Sequence, residues 1–181
     1  AETASVFGEM LTFKSILNAS TSKKEKKALL ANKVEDMLNT VIRQIAFFQF
    51  EKEVHMLRKN SELSTDQICA IWMKVQKDSL GPSIKYEEEY KYFWSYIPHF
   101  IHSPFYVYAY AFGDCLVNSL FNTYEQGLEN FESKYIDLLK SGGSKKYDEL
   151  FQPFNLDLSK KSFWKKGLSM IEKLIDELET I

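Results

Sequence analysis

Apolar residues along this chain recur every three or four positions rather than every second one, the period of helices that each turn one face to a core. A first helix is expected to run to about Leu17, before the polar stretch from Asn18 to Ser22. Ser22 with Glu25 then fits a capping box. Beyond it, Leu30, Val34, Met37, Val41, Ile45 and Phe48 trace one face of a long helix ending near Asn60. Ser64 with Gln67 offers a second capping box, opening a helix that carries Ile68, Ile71, Trp72 and Val75 inward until Gly81-Pro82 closes it.

The segment from Tyr86 to Phe112 breaks this rhythm. It holds 12 of the 27 aromatic residues and seven of the ten tyrosines, and Pro98 and Pro104 interrupt it. After it come a helix through Phe121 and Tyr124 and another through Phe131, Tyr135, Leu138 and Leu139, halted by Gly142-Gly143. A short amphipathic piece spans Lys145 to Phe151. A final helix from about Ser159 places Phe163, Ile171, Leu174 and Leu178 on one stripe. The expected fold class is therefore all-α, and residues 1–181 are read as a single helical domain without repeats.

With 181 residues the chain is long enough to bury a core without disulfides. A formal charge of −2 gives no field to draw nucleic acid or an anionic membrane, so neither is expected as a partner. Cys69 and Cys115 each sit in an apolar helical stretch and read as buried, reduced thiols, which suits the cytoplasm. No apolar run reaches the roughly 18 residues of a membrane span.

Two stretches hold candidate chemistry. In Tyr96-Ile-Pro-His-Phe-Ile-His-Ser-Pro-Phe-Tyr-Val-Tyr-Ala-Tyr-Ala-Phe-Gly113, Ser103 as N-cap and Pro104 at the first helical position predict a helix start, leaving His99 and His102 in the loop before it. A helix N-terminus disfavours the imidazolium and favours a neutral, hydrogen-bonding ring. Tyr106 and Tyr110 share one face of that helix and Tyr108 lies on another. The plain alternative is an aromatic core whose phenols reach backbone carbonyls.

The second stretch is the opening Glu2-Thr-Ala-Ser-Val-Phe-Gly-Glu9. Glu2, Ser5 and Glu9 at i, i+3 and i+7 share a helix face, with no cap or lead-in before them, so the chain reads as cut from something longer. Apolar neighbours such as Ala4, Val6, Phe7 and Met10 mean that these carboxylates need a cation or a donor. Neither a His-Glu-x-x-His pattern nor a Cys-x-x-Cys pair occurs, and a self-contained zinc site is not expected.

Together, in this order and a hundred residues apart, the two stretches resemble the C-terminal portion of the oligoendopeptidase F group of zinc metallopeptidases, peptidase family M3. The resemblance covers essentially the whole chain and implies a multi-helix, zincin-like catalytic domain that begins after the family's His-Glu-x-x-His helix. It implies that Glu2 is the third zinc ligand, that Ser5 and Glu9 are its companions, and that Glu9 orients a ligand histidine. His99, Tyr106 and Tyr108 are implied as catalytic residues that face the zinc and steady an oxyanion, with His102 and Tyr110 as substrate-binding alternates. The implied reaction is hydrolysis of internal bonds in short peptides, with zinc as cofactor and the missing N-terminal part of the protein as partner.

The departure is equally plain. His55 in Lys52-Glu-Val-His-Met has no partner four residues away, so the chain holds one presumed ligand of three and lacks the general base. It is expected to be inactive alone. Two readings compete with the peptidase: a non-catalytic helical peptide-binding or interaction module of the same fold, and an unrelated helical protein with an aromatic core.

Overall fold

The computed structural model describes residues 3–181, whose regular elements are all helices, with no strand among them. Their contacts divide the chain into two compact units: a terminal unit, formed by the residues up to Met37 together with Gly113–Ile181, and a middle unit, Leu38–Phe112.

In the terminal unit, α1 (Thr3–Ala19) and α2 (Lys23–Leu38, its last residue in the middle unit) are separated by the expected polar break. Half of the anticipated box is made there: the Glu25 N–H reaches Ser22 Oγ at 3.4 Å, while the Glu25 carboxylate takes the Ser20 hydroxyl at 2.6 Å.

The middle unit holds α3 (Gln44–Arg58) and α4 (Thr65–Leu80), and α3 is reached through a π-helical turn, Asn39–Arg43. A π turn adds a residue per turn and so rotates the residues beyond it by about 100°. The inward stripe read from sequence therefore slips: Val41 is buried as expected, but Ala46, Phe47 and Phe50 face the core where Ile45 and Phe48 were expected. Both arms of the Ser64–Gln67 capping box are present, and Gly81 closes α4 at φ +72°.

Trp72 of α4 is fully buried and meets Phe50 edge-on at 5.2 Å and Phe47 at 5.4 Å. Its indole N–H donates to the carbonyl of Tyr90 at 3.0 Å, and the phenols of Tyr86 and Tyr90 donate to Gln76. These bonds hold the aromatic segment as a 3₁₀ run, Glu88–Tyr96, against α4. Next come a single helical turn, α5 (His99–His102), and α6 (Tyr108–Glu125), whose residues from Gly113 onward belong to the terminal unit. The helix expected to start at Ser103-Pro104 therefore starts four residues later, and the two histidines lie in a helical turn rather than a loop. Ser103 ends α5 instead of capping α6.

The rest of the terminal unit is α7 (Phe131–Ser141), α8 (Tyr147–Phe151), a 3₁₀ turn at Gln152–Phe154, and α9 (Lys161–Thr180). Phe7 gathers its aromatic cluster, 5.4 Å from Phe121, 5.7 Å from Phe131 and 4.6 Å from Tyr135. On α9, Phe163, Ile171 and Leu174 are buried as the stripe requires. Cys69 and Cys115 are both buried free thiols, and burial pushes the Cys115 thiol up to about 12.

Candidate active site

Four of the candidate residues crowd one corner of the middle unit, between α5 and the start of α6. Val107 anchors it: the side chain is only 1% exposed and packs into the core around Trp72. Its two neighbours are turned outward by the same geometry, and Tyr106 and Tyr108 are each 53% exposed. An alternation of exposed, buried and exposed residues thus lifts two phenols off the surface while the backbone between them is fixed from below.

His99 sits half-buried beside them. Its Nε2 lies 3.0 Å from the Tyr110 hydroxyl, and its ring is nearly parallel to that of Tyr106, tilted 11° at 6.4 Å. The Tyr106 and Tyr110 rings meet edge-on at 5.5 Å, which closes a three-ring cluster. Tyr108 lies to one side and packs edge-on against Phe48 at 5.9 Å. His102, at the end of α5, is exposed.

The roles left open by sequence separate here by environment. Tyr110 and His99 engage each other, so the phenol sets the imidazole's orientation. The hydroxyls of Tyr106 and Tyr108 ride on exposed rings, open to a ligand.

The other candidates belong to the terminal unit. Ser5 and Glu9 lie on the exposed side of α1, and Glu2 lies outside the described residues. The apolar setting expected of Glu9 is absent, since its side chain is exposed; it is the buried Lys33 that finds a partner there, donating from Nζ to Glu9 Oε1 at 2.5 Å. Nearby, Asp114 Oδ2 accepts the Asn118 amide at 2.7 Å. Burial is the main cause of an Asp114 carboxyl pushed up to about 6; the Asn118 bond and the Lys33 charge work against the rise, and Glu9 adds to it.

Lys33, Asp114 and a further buried acid, Glu51 on α3, were not singled out from sequence. Glu51 did leave a signal: in Phe47-Phe-Gln-Phe-Glu51 it stands four residues after Phe47, a charge on an apolar helix face. Its Oε1 accepts the Phe105 N–H at 2.9 Å. Burial raises its pKa, against the lowering influence of that bond and of His55 and His99.

As a test of zinc, no three His, Cys, Asp or Glu side chains among the described residues are grouped to hold a metal ion. His99 already engages Tyr110 through Nε2. The described residues do not make up a zinc ligand set.

The fold is thus all-helical among the described residues, and one corner of the middle unit presents an imidazole and two exposed phenols. Residues 1–170 match the model of peptidase family M3, and the chain belongs to that family. It is 30% identical, over its full length, to an oligoendopeptidase F homologue of Borreliella burgdorferi, covering 31% of that protein. It is 27% identical to a chromosomal oligoendopeptidase F of Lactococcus lactis subsp. cremoris, covering 30% of it. The crystal structure of oligoendopeptidase-F from Enterococcus faecium superposes on 99% of this chain with a TM-score of 0.89 at 25% identity, using 34% of its own length. The chain thus spans about a third of the length of the relatives it matches.

Proposed function

We propose that the protein carrying this chain is a zinc-dependent endopeptidase that hydrolyses internal bonds of short peptides. The chain contributes Glu2 as one metal ligand, Ser5 and Glu9 as its companions, and the Tyr/His corner as a wall that binds substrate. Zinc, when bound, supplies an activated water and polarises the scissile carbonyl.

The residues of the corner divide the remaining work. A phenol of Tyr108 or Tyr106 donates to the carbonyl oxygen as it gains negative charge, a contact stronger in the transition state than in the ground state. The Tyr110 hydroxyl donates to His99 Nε2 and leaves the ring proton on Nδ1, from where His99 binds a substrate carbonyl. His102 is the second substrate-binding candidate. Two buried free thiols suit a reducing compartment such as the cytoplasm.

The observation that carries this reading is the pair of exposed phenols flanking buried Val107 in a chain of family M3. Its test uses the full-length protein and an internally quenched peptide. Replacing the oxyanion donor, Tyr108→Phe or Tyr106→Phe, is expected to lower kcat by roughly 100-fold to 1,000-fold with KM nearly unchanged. If both variants cleave at the wild-type rate, the oxyanion role is wrong. If the wild-type protein binds peptides without cleaving them, the chain belongs to a peptide-binding relative instead.

A further inference from the structure

The corner that holds the phenols depends on a residue whose backbone is out of place. Phe105 has φ +62°, the left-handed region. The other non-glycine residues with positive φ among those described are Asn130 and Asn155, a residue type that tolerates this conformation. For a bulky side chain the same geometry is strained and persists only where the surroundings over-determine it.

Those surroundings point to one side chain. The Phe105 ring is partly exposed, edge-on to Phe48 at 6.3 Å and 4.8 Å from the His55 ring, so packing grips it loosely. Its N–H, by contrast, is taken by Glu51 Oε1 at 2.9 Å, across 54 residues of sequence. Glu51 is 2% exposed, and its other oxygen, Oε2, is buried without a protein partner. A core built only for stability would do as well or better with an apolar residue of similar volume. Beside the longer-range influence of the His55 and His99 charges, the backbone bond is the hydrogen bond that the carboxylate makes and a methionine would not.

The start of α6 is tied to Phe105 within one turn. The Tyr106 N–H donates to the Ser103 carbonyl at 3.1 Å and the Ala109 N–H to the Tyr106 carbonyl at 2.9 Å, so the Phe105 conformation fixes where α6 begins and where the two phenols point.

We propose that Glu51 is a positioning residue for the reaction: by accepting the Phe105 N–H it locks the left-handed turn that aims Tyr106 and Tyr108. The proposal rests on the oxyanion role given to those tyrosines, and it adds a residue that touches neither substrate nor metal.

The test compares Glu51→Met, which removes the acceptor at similar volume, with Glu51→Gln, which keeps an oxygen in place, in the full-length protein. Misplacing a catalytic group by about 1 Å costs on the order of 100-fold in rate, so Glu51→Met is expected to lose roughly 10-fold to 100-fold in kcat with KM little changed. Its melting temperature should change little, because removing a buried acid with one unpartnered oxygen offsets the loss of the Phe105 bond. Glu51→Gln should recover most of the rate. Wild-type kcat in Glu51→Met, or an equal loss in Glu51→Gln, overturns the proposal.

Amide exchange at Phe105 supplies a readout free of activity. The wild-type amide is expected to be protected and that of Glu51→Met to exchange faster; an unprotected wild-type amide overturns the proposal even if the methionine variant does not fold. Should the tyrosine variants keep full activity, the oxyanion reading falls by itself, and the exchange data still decide whether Glu51 holds the turn.

Discussion

Asp114 is a carboxylic acid held well away from its free state that the proposed chemistry does not use. Its carboxyl is raised from 3.8 to about 6, chiefly by burial. The folded chain therefore holds this proton more tightly than the unfolded chain. The group costs nothing below pH 4, costs progressively more as pH rises from about 4 through 6, and costs its full amount above. The rise from 3.8 to about 6 corresponds to about 3 kcal/mol, a net figure in which the Asn118 bond and the Lys33 charge are already counted. Asp114→Asn, whose amide oxygen still accepts from Asn118, is expected to stabilise the chain by about 1–3 kcal/mol at pH 7–8 and by almost nothing at pH 4. Chemical melts at the two pH values check this, and a gain equal at both would refute the burial argument. Asp114 was illegible in the sequence, and Glu51 legible only as a charge on an apolar helix face, for one reason: an acid's burial is decided by what packs over it, and sequence periodicity describes only its own helix. The tyrosines and His99 were legible because aromatic density in a helical chain is unusual whatever covers it.

Between elements, α6 and α9 approach each other closely in the terminal unit. Ser119 Oγ donates to the Phe163 carbonyl at 3.2 Å, Lys166 Nζ to Thr123 Oγ1 at 2.9 Å, and Gly167 faces Cys115. A Cβ at Gly167 would stand 2.6 Å from the Cys115 carbonyl oxygen, a backbone atom that yields only if the helix moves. Overpacking costs about 1–3 kcal/mol, against a gain of up to about 1 kcal/mol from alanine's better helix propensity. Gly167→Ala should therefore lower the melting temperature by about 5 °C, whereas at a solvated helical glycine the same change would raise it. A raised melting temperature would mean that the helices do not meet so closely. The element boundaries that sequence located were those written in local chemistry, such as the Ser64–Gln67 box and the stops at Gly81 and Gly142. Those it misplaced depend on distant partners. Ser103-Pro104 carries the local signature of a helix start, yet the Glu51 carboxylate draws the Phe105 amide into a turn and α6 begins at Tyr108. The π turn at Asn39–Arg43 has no local signature and moves the buried face from Ile45 and Phe48 to Ala46, Phe47 and Phe50.

At the scale of the whole molecule, the proposed machinery is dispersed. Ser5 and Glu9 belong to the terminal unit, His99 and the three tyrosines to the middle one, and the chain spans 31% of its Borreliella burgdorferi relative. A catalytic zinc requires three protein ligands and an open position, and no three donors among the described residues are grouped that way. Activity should then be a property of the full-length protein. Zinc-saturated chain of these 181 residues is expected to leave an internally quenched peptide intact, while the full-length protein cleaves it, stops when a chelator is added and resumes when zinc is restored. The Tyr/His corner needs no metal to form, since its rings and the Glu51 bond lie within the middle unit. The isolated chain should therefore still bind the peptide weakly, and Tyr106→Phe or Tyr108→Phe should reduce that binding by no more than a few-fold, because a ground-state contact lacks the strength it gains in the transition state. Chelator-sensitive cleavage by the isolated chain would place a complete site inside these residues and overturn the division of labour proposed for it.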